Sequence, residues 1–140
     1  YARGVVVGLT RGTGRAHLAR AVVEAMAYQT RDVVEAMARV AGQPVRLLRA
    51  DGGASVQDLL LQFQADQLRV EVARPQVQET TAVGAAYLAG LAEGVWGSLD
   101  ELASHWRLDK AFQPSGTVSG ADSRYAGWKR AVERARNWTS

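Results

Sequence analysis

The chain has 140 residues, with 17 Lys and Arg against 14 Asp and Glu, 47% hydrophobic residues, 14 glycines, three prolines and no cysteine. This composition excludes disordered, collagen-like and low-complexity chains, and the lack of cysteine excludes disulfide scaffolds, Cys-ligated zinc and a thiol nucleophile. What remains is one domain's worth of chain with enough apolar residues for a core, expected in a reducing cytoplasm.

The opening Tyr1-Ala2-Arg3-Gly4-Val5-Val6-Val7 has neither an initiator Met nor the basic, apolar, small-residue plan of a signal peptide, so it reads as a cut through a longer polypeptide. Residues 5–9 are β-rich and are predicted as a strand, ended by Gly8 and the Thr10-Arg11-Gly12-Thr13-Gly14 cluster. Leu18, Val22, Met26, Val33, Met37 and Val40 then recur at helical spacing, which predicts a long helix over residues 15–41 stopped by Gly42 and Pro44. Residues 45–50 read as a buried strand aimed into Asp51-Gly52-Gly53.

Ser55 and Asp58 have the spacing of a capping box, and Val56, Leu59, Leu60 and Phe63 supply the stripe of a second helix ending near Leu68. The alternation in Arg69-Val70-Glu71-Val72 predicts a strand, closed by Pro75. Thr80-Thr81 opens a helix of small residues, including Ala82, Gly84, Ala85, Ala86, Ala89 and Gly90, expected to approach the sheet closely. Ser98 and Glu101 mark a short capped helix, residues 113–121 a loop, and a final helix begins near Asp122 with Tyr125, Trp128, Val132, Ala135 and Trp138 on one face.

The order of strands and helices predicts an α/β fold, a short parallel sheet flanked by helices. Three short strands are few for a parallel sheet, so the pattern describes a single partial domain over residues 1–140. Its unpaired strand edges predict self-association into a homo-oligomer. The longest apolar run, residues 82–92, is well short of the ~20 residues a membrane span requires, so no membrane partner is expected.

The best candidate for chemistry is the Asp51-Gly52-Gly53 turn between a strand and a helix, where glycines let backbone approach a ligand such as a phosphate closely. A simple structural turn accounts for the same three residues equally well. Gly12-Thr13-Gly14 opens no dinucleotide fingerprint, because position 17 is His, and no Walker sequence exists. His17 and His105 are too isolated from acids to form a metal site, so no metal-binding residue is expected. Glu24 and Asp32 are explained by helix neighbours such as Arg20, Arg31 and Arg39, and no catalytic base is expected in this chain.

Two stretches lean basic: Arg3, Arg11, Arg15 and Arg20 precede the first acid, Glu24, and Arg124, Lys129, Arg130, Arg134 and Arg136 face only Glu133. Solvated helix faces explain them, and the rival function they leave open is a non-enzymatic module binding nucleic acid or a protein partner. Trp96, Trp106, Trp128 and Trp138 are expected to pack the C-terminal helices rather than stack on bases.

Several segments resemble the FGGY carbohydrate kinases. Gly4-Val5-Val6-Val7-Gly8-Leu9, followed after seven residues by His17-Leu18-Ala19-Arg20-Ala21-Val22-Val23-Glu24, is similar to the family's second signature. Ala27-Tyr28-Gln29-Thr30-Arg31-Asp32-Val33, Asp51-Gly52-Gly53-Ala54, Gln62-Phe63-Gln64-Ala65-Asp66, Arg124-Tyr125-Ala126-Gly127-Trp128-Lys129 and the run from position 79 to 91 resemble its glycerol-phosphorylating branch, so the likeness covers nearly the whole chain. The resemblance implies an actin-like, ribonuclease H-like kinase fold of two lobes with ATP between them. It also implies transfer of the γ-phosphoryl group to the terminal hydroxyl of glycerol.

On that resemblance the chain is the later part of the C-terminal, nucleotide-binding lobe. Its partner is an N-terminal lobe of the same polypeptide, which carries the glycerol site and the catalytic aspartate. ATP or ADP and Mg²⁺ belong to the intact enzyme, none is held by this chain alone, and no nucleic acid is involved. The family's second glycine of Asp-Gly-Gly-Ala contacts the nucleotide together with an Asn four residues later. Here those positions are Gly53 and Gln57, and with Gly52 they form the expected nucleotide wall. Some bacterial members bind a phosphotransfer regulator at an acidic position that is Gly120 here, so that partner is not expected. Isolated, the chain is expected to be inactive, because phosphoryl transfer depends on positioning across a whole cleft.

Overall fold

A computed structural model describes residues 3–137. The long helix α1 spans Arg15–Ala41 as its periodicity predicts, and ends where Gly42 turns into the left-handed region at φ 68°. Strand β1 is Leu47–Arg49, shorter than the predicted 45–50. A 3-10 turn, Gly53–Val56, leads into α2, Asp58–Leu68. Strand β2 is Glu71–Pro75, α3 is Thr80–Ala92, α4 is Leu99–Ser104, β3 is Leu108–Phe112, and α5 is Val118–Ala135.

The sheet has the order β1-β2-β3. β1 and β2 run parallel with Leu48 beside Val72, whereas β2 and β3 run antiparallel with Val72 opposite Phe112 and Arg74 opposite Lys110. The expected all-parallel sheet is therefore corrected to a mixed one. The connection through α3 and α4 brings the chain back along β2 instead of crossing over. Between Lys110 and Leu108 the register shifts, so Asp109 is an extra residue in β3.

Four other expectations are corrected. Residues 5–9 form no strand and pair with none among the described residues, and Val6 is 63% exposed, because β-rich side chains make no sheet without a neighbour to take the backbone hydrogen bonds. The second strand starts later than Arg69: this residue sits at φ 59° and gives its N–H to Ala65, closing α2. α3 has no buried residue and does not pack on the sheet; its small residues serve locally, Gly90 against the Trp96 ring. α5 begins four residues before Asp122, because Thr117 caps it by accepting from the Gly120 N–H at 3.1 Å. Trp138 lies outside the described residues.

The core lies where α1, α2 and α5 meet one face of the sheet. Ala27, Leu61, Ala65 and Val72 are all 1% exposed or less, and Leu60, Phe63, Phe112 and Tyr125 close around them. Tyr28 meets Phe63 edge-on at 5.4 Å and stacks on Trp128 at 5.5 Å, so Trp128 packs a C-terminal helix as expected. Asp32 serves this interface rather than a helix neighbour: its carboxylate accepts from the Tyr125 hydroxyl and from Trp128 Nε1. Glu24 does pair along the helix with Arg20, at 2.6 Å. No helix among the described residues is long and apolar enough to cross a membrane.

Candidate functional site

The Asp51-Gly52-Gly53 turn leaves the sheet at the end of β1. Gly52 adopts φ 83° and ψ 173°, a region only glycine enters without strain. Its N–H donates to the Gln78 carbonyl at 2.8 Å, and Thr80 donates its hydroxyl to Asp51, so the start of α3 fixes the turn from one side.

Ser55 does not cap α2 as its spacing predicts. Its hydroxyl donates to the Gly52 carbonyl at 2.7 Å and its N–H bonds the same oxygen, which winds residues 53–56 into a 3-10 turn. Gln57 takes the N-cap position of α2 with no side-chain cap, and its carbonyl accepts from the N–H groups of Leu60 and Leu61. The structure thus brings Gly52, Gly53 and Gln57 to one short stretch of surface. Gly53 and Gln57 are exposed, and a Cβ built on Gly53 meets no atom within 4 Å.

Behind this stretch stands a charge network that the sequence reading missed. Arg74 of β2 donates to the Ser55 carbonyl at 3.0 Å, to Asp58 at 2.9 Å and to Asp109 at 2.6 Å, while Lys110 reaches Asp58 at 2.7 Å. Lys110 and Arg74 hold the Asp58 carboxyl below its usual range. Asp109 and Asp58 in turn raise the Arg74 guanidinium. The only local signal for this network is the acid at the start of α2, which also suits the helix dipole.

The remaining sequence candidates have structural roles. His17 Nδ1 accepts from the Gly14 N–H at 3.1 Å and closes the first turn of α1, and His105 lies among the rings of Tyr87 and Trp96. Among the described residues no three His, Asp or Glu side chains are placed to hold a metal ion. In the basic stretches Arg20 pairs with Glu24 and Arg136 with Glu133, Lys129 lies over the Tyr125 ring, and Gly120 sits in the first turn of α5.

A strand that turns through an open glycine into a helix, joined to a β-α unit and a return strand, is part of an α/β layer, and the match in sequence says to which family it belongs. Residues 1–93 match the FGGY family of carbohydrate kinases, C-terminal domain, and the chain belongs to that family. Within the family its relatives are named glycerol kinases: it is 57% identical over 140 residues to the glycerol kinase of Symbiobacterium thermophilum, covering 100% of this chain and 28% of that protein. It superposes with a TM-score of 0.84 on the crystal structure of Plasmodium falciparum glycerol kinase with ADP, at 31% identity over 99% of this chain and 28% of that one. The xylulose kinase of Rhodospirillum rubrum shares the fold, with a TM-score of 0.79 at 24% identity over 96% of this chain and 28% of that one. The fold is that of these actin-like sugar kinases, and the chain spans about 28% of the length of the relatives it matches.

Proposed function

We infer that this chain is the later part of the C-terminal lobe of an ATP-dependent glycerol kinase, converting ATP and glycerol to ADP and glycerol 3-phosphate when joined to an N-terminal lobe. In this reading Gly52, Gly53 and Gln57 form part of the nucleotide wall. The observation that carries it is the open face of the Asp51-Gly52-Gly53 turn, where Gly53 has no Cβ neighbour and is exposed. The Plasmodium falciparum glycerol kinase that it superposes on was crystallised with ADP, which supports a nucleotide as the occupant.

The residues present fit one side of a nucleotide. Gly52 keeps the turn tight, Gly53 lets backbone come close, and the Gln57 amide can both donate and accept. Bound ATP supplies the phosphoryl group and Mg²⁺ its charge neutralisation. In this reading the chain contributes to the nucleotide wall, and the catalytic aspartate belongs to the N-terminal lobe. The reading places the enzyme in the cytoplasm as a homo-oligomer, with this chain inactive by itself.

The test is Gly53→Val in the full-length polypeptide. Because nothing lies within 4 Å of the new Cβ, the fold accepts the side chain and the nucleotide meets it. The ADP dissociation constant by calorimetry is expected to rise about tenfold or more, a loss of ~1.4 kcal/mol. Unchanged affinity in a folded variant assigns the turn to structure alone.

A further inference from the structure

We propose that Arg74 is a positioning residue for the nucleotide wall, holding Gln57 and the glycine turn in place through one guanidinium shared by the Ser55 carbonyl and the Asp58 carboxylate. The proposal rests on the nucleotide-wall reading above and names what builds that wall.

Gln57 is the N-cap of α2 and has no side-chain cap of its own. Its position is set by its neighbours, and both are held by the same group: Ser55, two residues before it, through its carbonyl at 3.0 Å, and Asp58, the next residue, at 2.9 Å. Ser55 passes the constraint on to Gly52 through two hydrogen bonds to the Gly52 carbonyl. Arg74 itself cannot swing away. Its side chain is 12% exposed, it lies over the Phe112 ring at 5.6 Å, and Asp109 takes its Nε at 2.6 Å.

The extra residue in β3 is what makes this possible. A regular antiparallel register would turn Asp109 to the face opposite Lys110, whereas the shift beside Arg74 lets Asp109 and Lys110 both reach the Arg74-Asp58 network. Lys110 then neutralises the second Asp58 oxygen. A planar guanidinium spreads its five donors over three nitrogens and so spans a carbonyl and two carboxylates, whereas the three donors of an ammonium radiate from one nitrogen and do not span these positions.

The experiment uses the full-length polypeptide with Arg74→Lys and Asp58→Asn, each assayed for glycerol phosphorylation by coupled ADP release. Gly53→Val is assayed beside them. Arg74→Lys is expected to raise the KM for ATP about tenfold, with kcat and the KM for glycerol within twofold of the parent. Asp58→Asn, exposed and nearly isosteric, is expected to raise the same KM about threefold, and carries the test if Arg74→Lys fails to fold.

A split confined to the nucleotide supports positioning. Equal losses in both substrates, or a fall in kcat alone, overturn it in favour of a general structural role. If Gly53→Val weakens nucleotide binding while folded Arg74→Lys and Asp58→Asn leave it unchanged, positioning fails and the wall stands. If Gly53→Val has no effect, the wall itself is misassigned.

Discussion

Asp32 fastens α5 to α1 beside the Arg31–Asp122 ion pair, and removing its carboxylate isolates its own share of that link. Its two oxygens accept from the Tyr125 hydroxyl and, at 2.8 Å, from Trp128 Nε1. A hydrogen bond to a charged acceptor contributes about 1.5–3 kcal/mol. Asp32 is solvent-exposed and Tyr125 keeps a second acceptor in Glu35 at 3.4 Å, so Asp32→Ala is expected to cost about 2 kcal/mol rather than the sum. The loss falls on one helix, so it is read by hydrogen exchange of the full-length polypeptide, with α5 amides exchanging about 30-fold faster and α2 amides unchanged. The same link has an alkaline limit. Burial, and then the Asp32 carboxylate, raise the Tyr125 phenol above its ordinary value. Since the folded state keeps the proton that the unfolded state loses above pH ~10, this stabilisation is complete below pH ~10 and declines as pH rises through the folded value. Tyr125→Phe removes that decline. Unaltered α5 exchange in Asp32→Ala, or acceleration spread evenly over the chain, refutes the assignment of Asp32 as a fastener of α5.

Two further outcomes test the packing. Leu61, 1% exposed between α1 and the sheet, should cost about 2–5 kcal/mol as alanine in a denaturant titration, against almost nothing for Leu88→Ala at 68% exposed. Gly90→Ala drives a Cβ into the Trp96 ring, so the ring must move and the near-ultraviolet dichroism of that Tyr87-Trp96 pair should fall, despite the better helix propensity of alanine.

The helices were legible because their information is local. The spacing of Leu18 to Val40, the Ser98-Glu101 pair that caps α4 at 3.1 Å, and the stop at Gly42 are each read within a few residues. Strands failed where the information is distant. Residues 5–9 carry strand-forming side chains without a partner, whereas Leu108–Phe112 pairs with β2 although Asp109 and Lys110 disguise it. Those charges are stable in a strand because Arg74 and Asp58 meet them, and neither lies in the same segment. The glycines of the candidate wall could be found from the sequence, since the left-handed turn at Gly52 demands its residue. What holds the wall could not: the groups Arg74 grips lie 16, 19 and 35 residues away, at spacings no helix or strand period produces. A side chain that joins three segments leaves no periodic trace in any of them, and so the part of a binding site that touches the ligand is easier to read than the part that positions it.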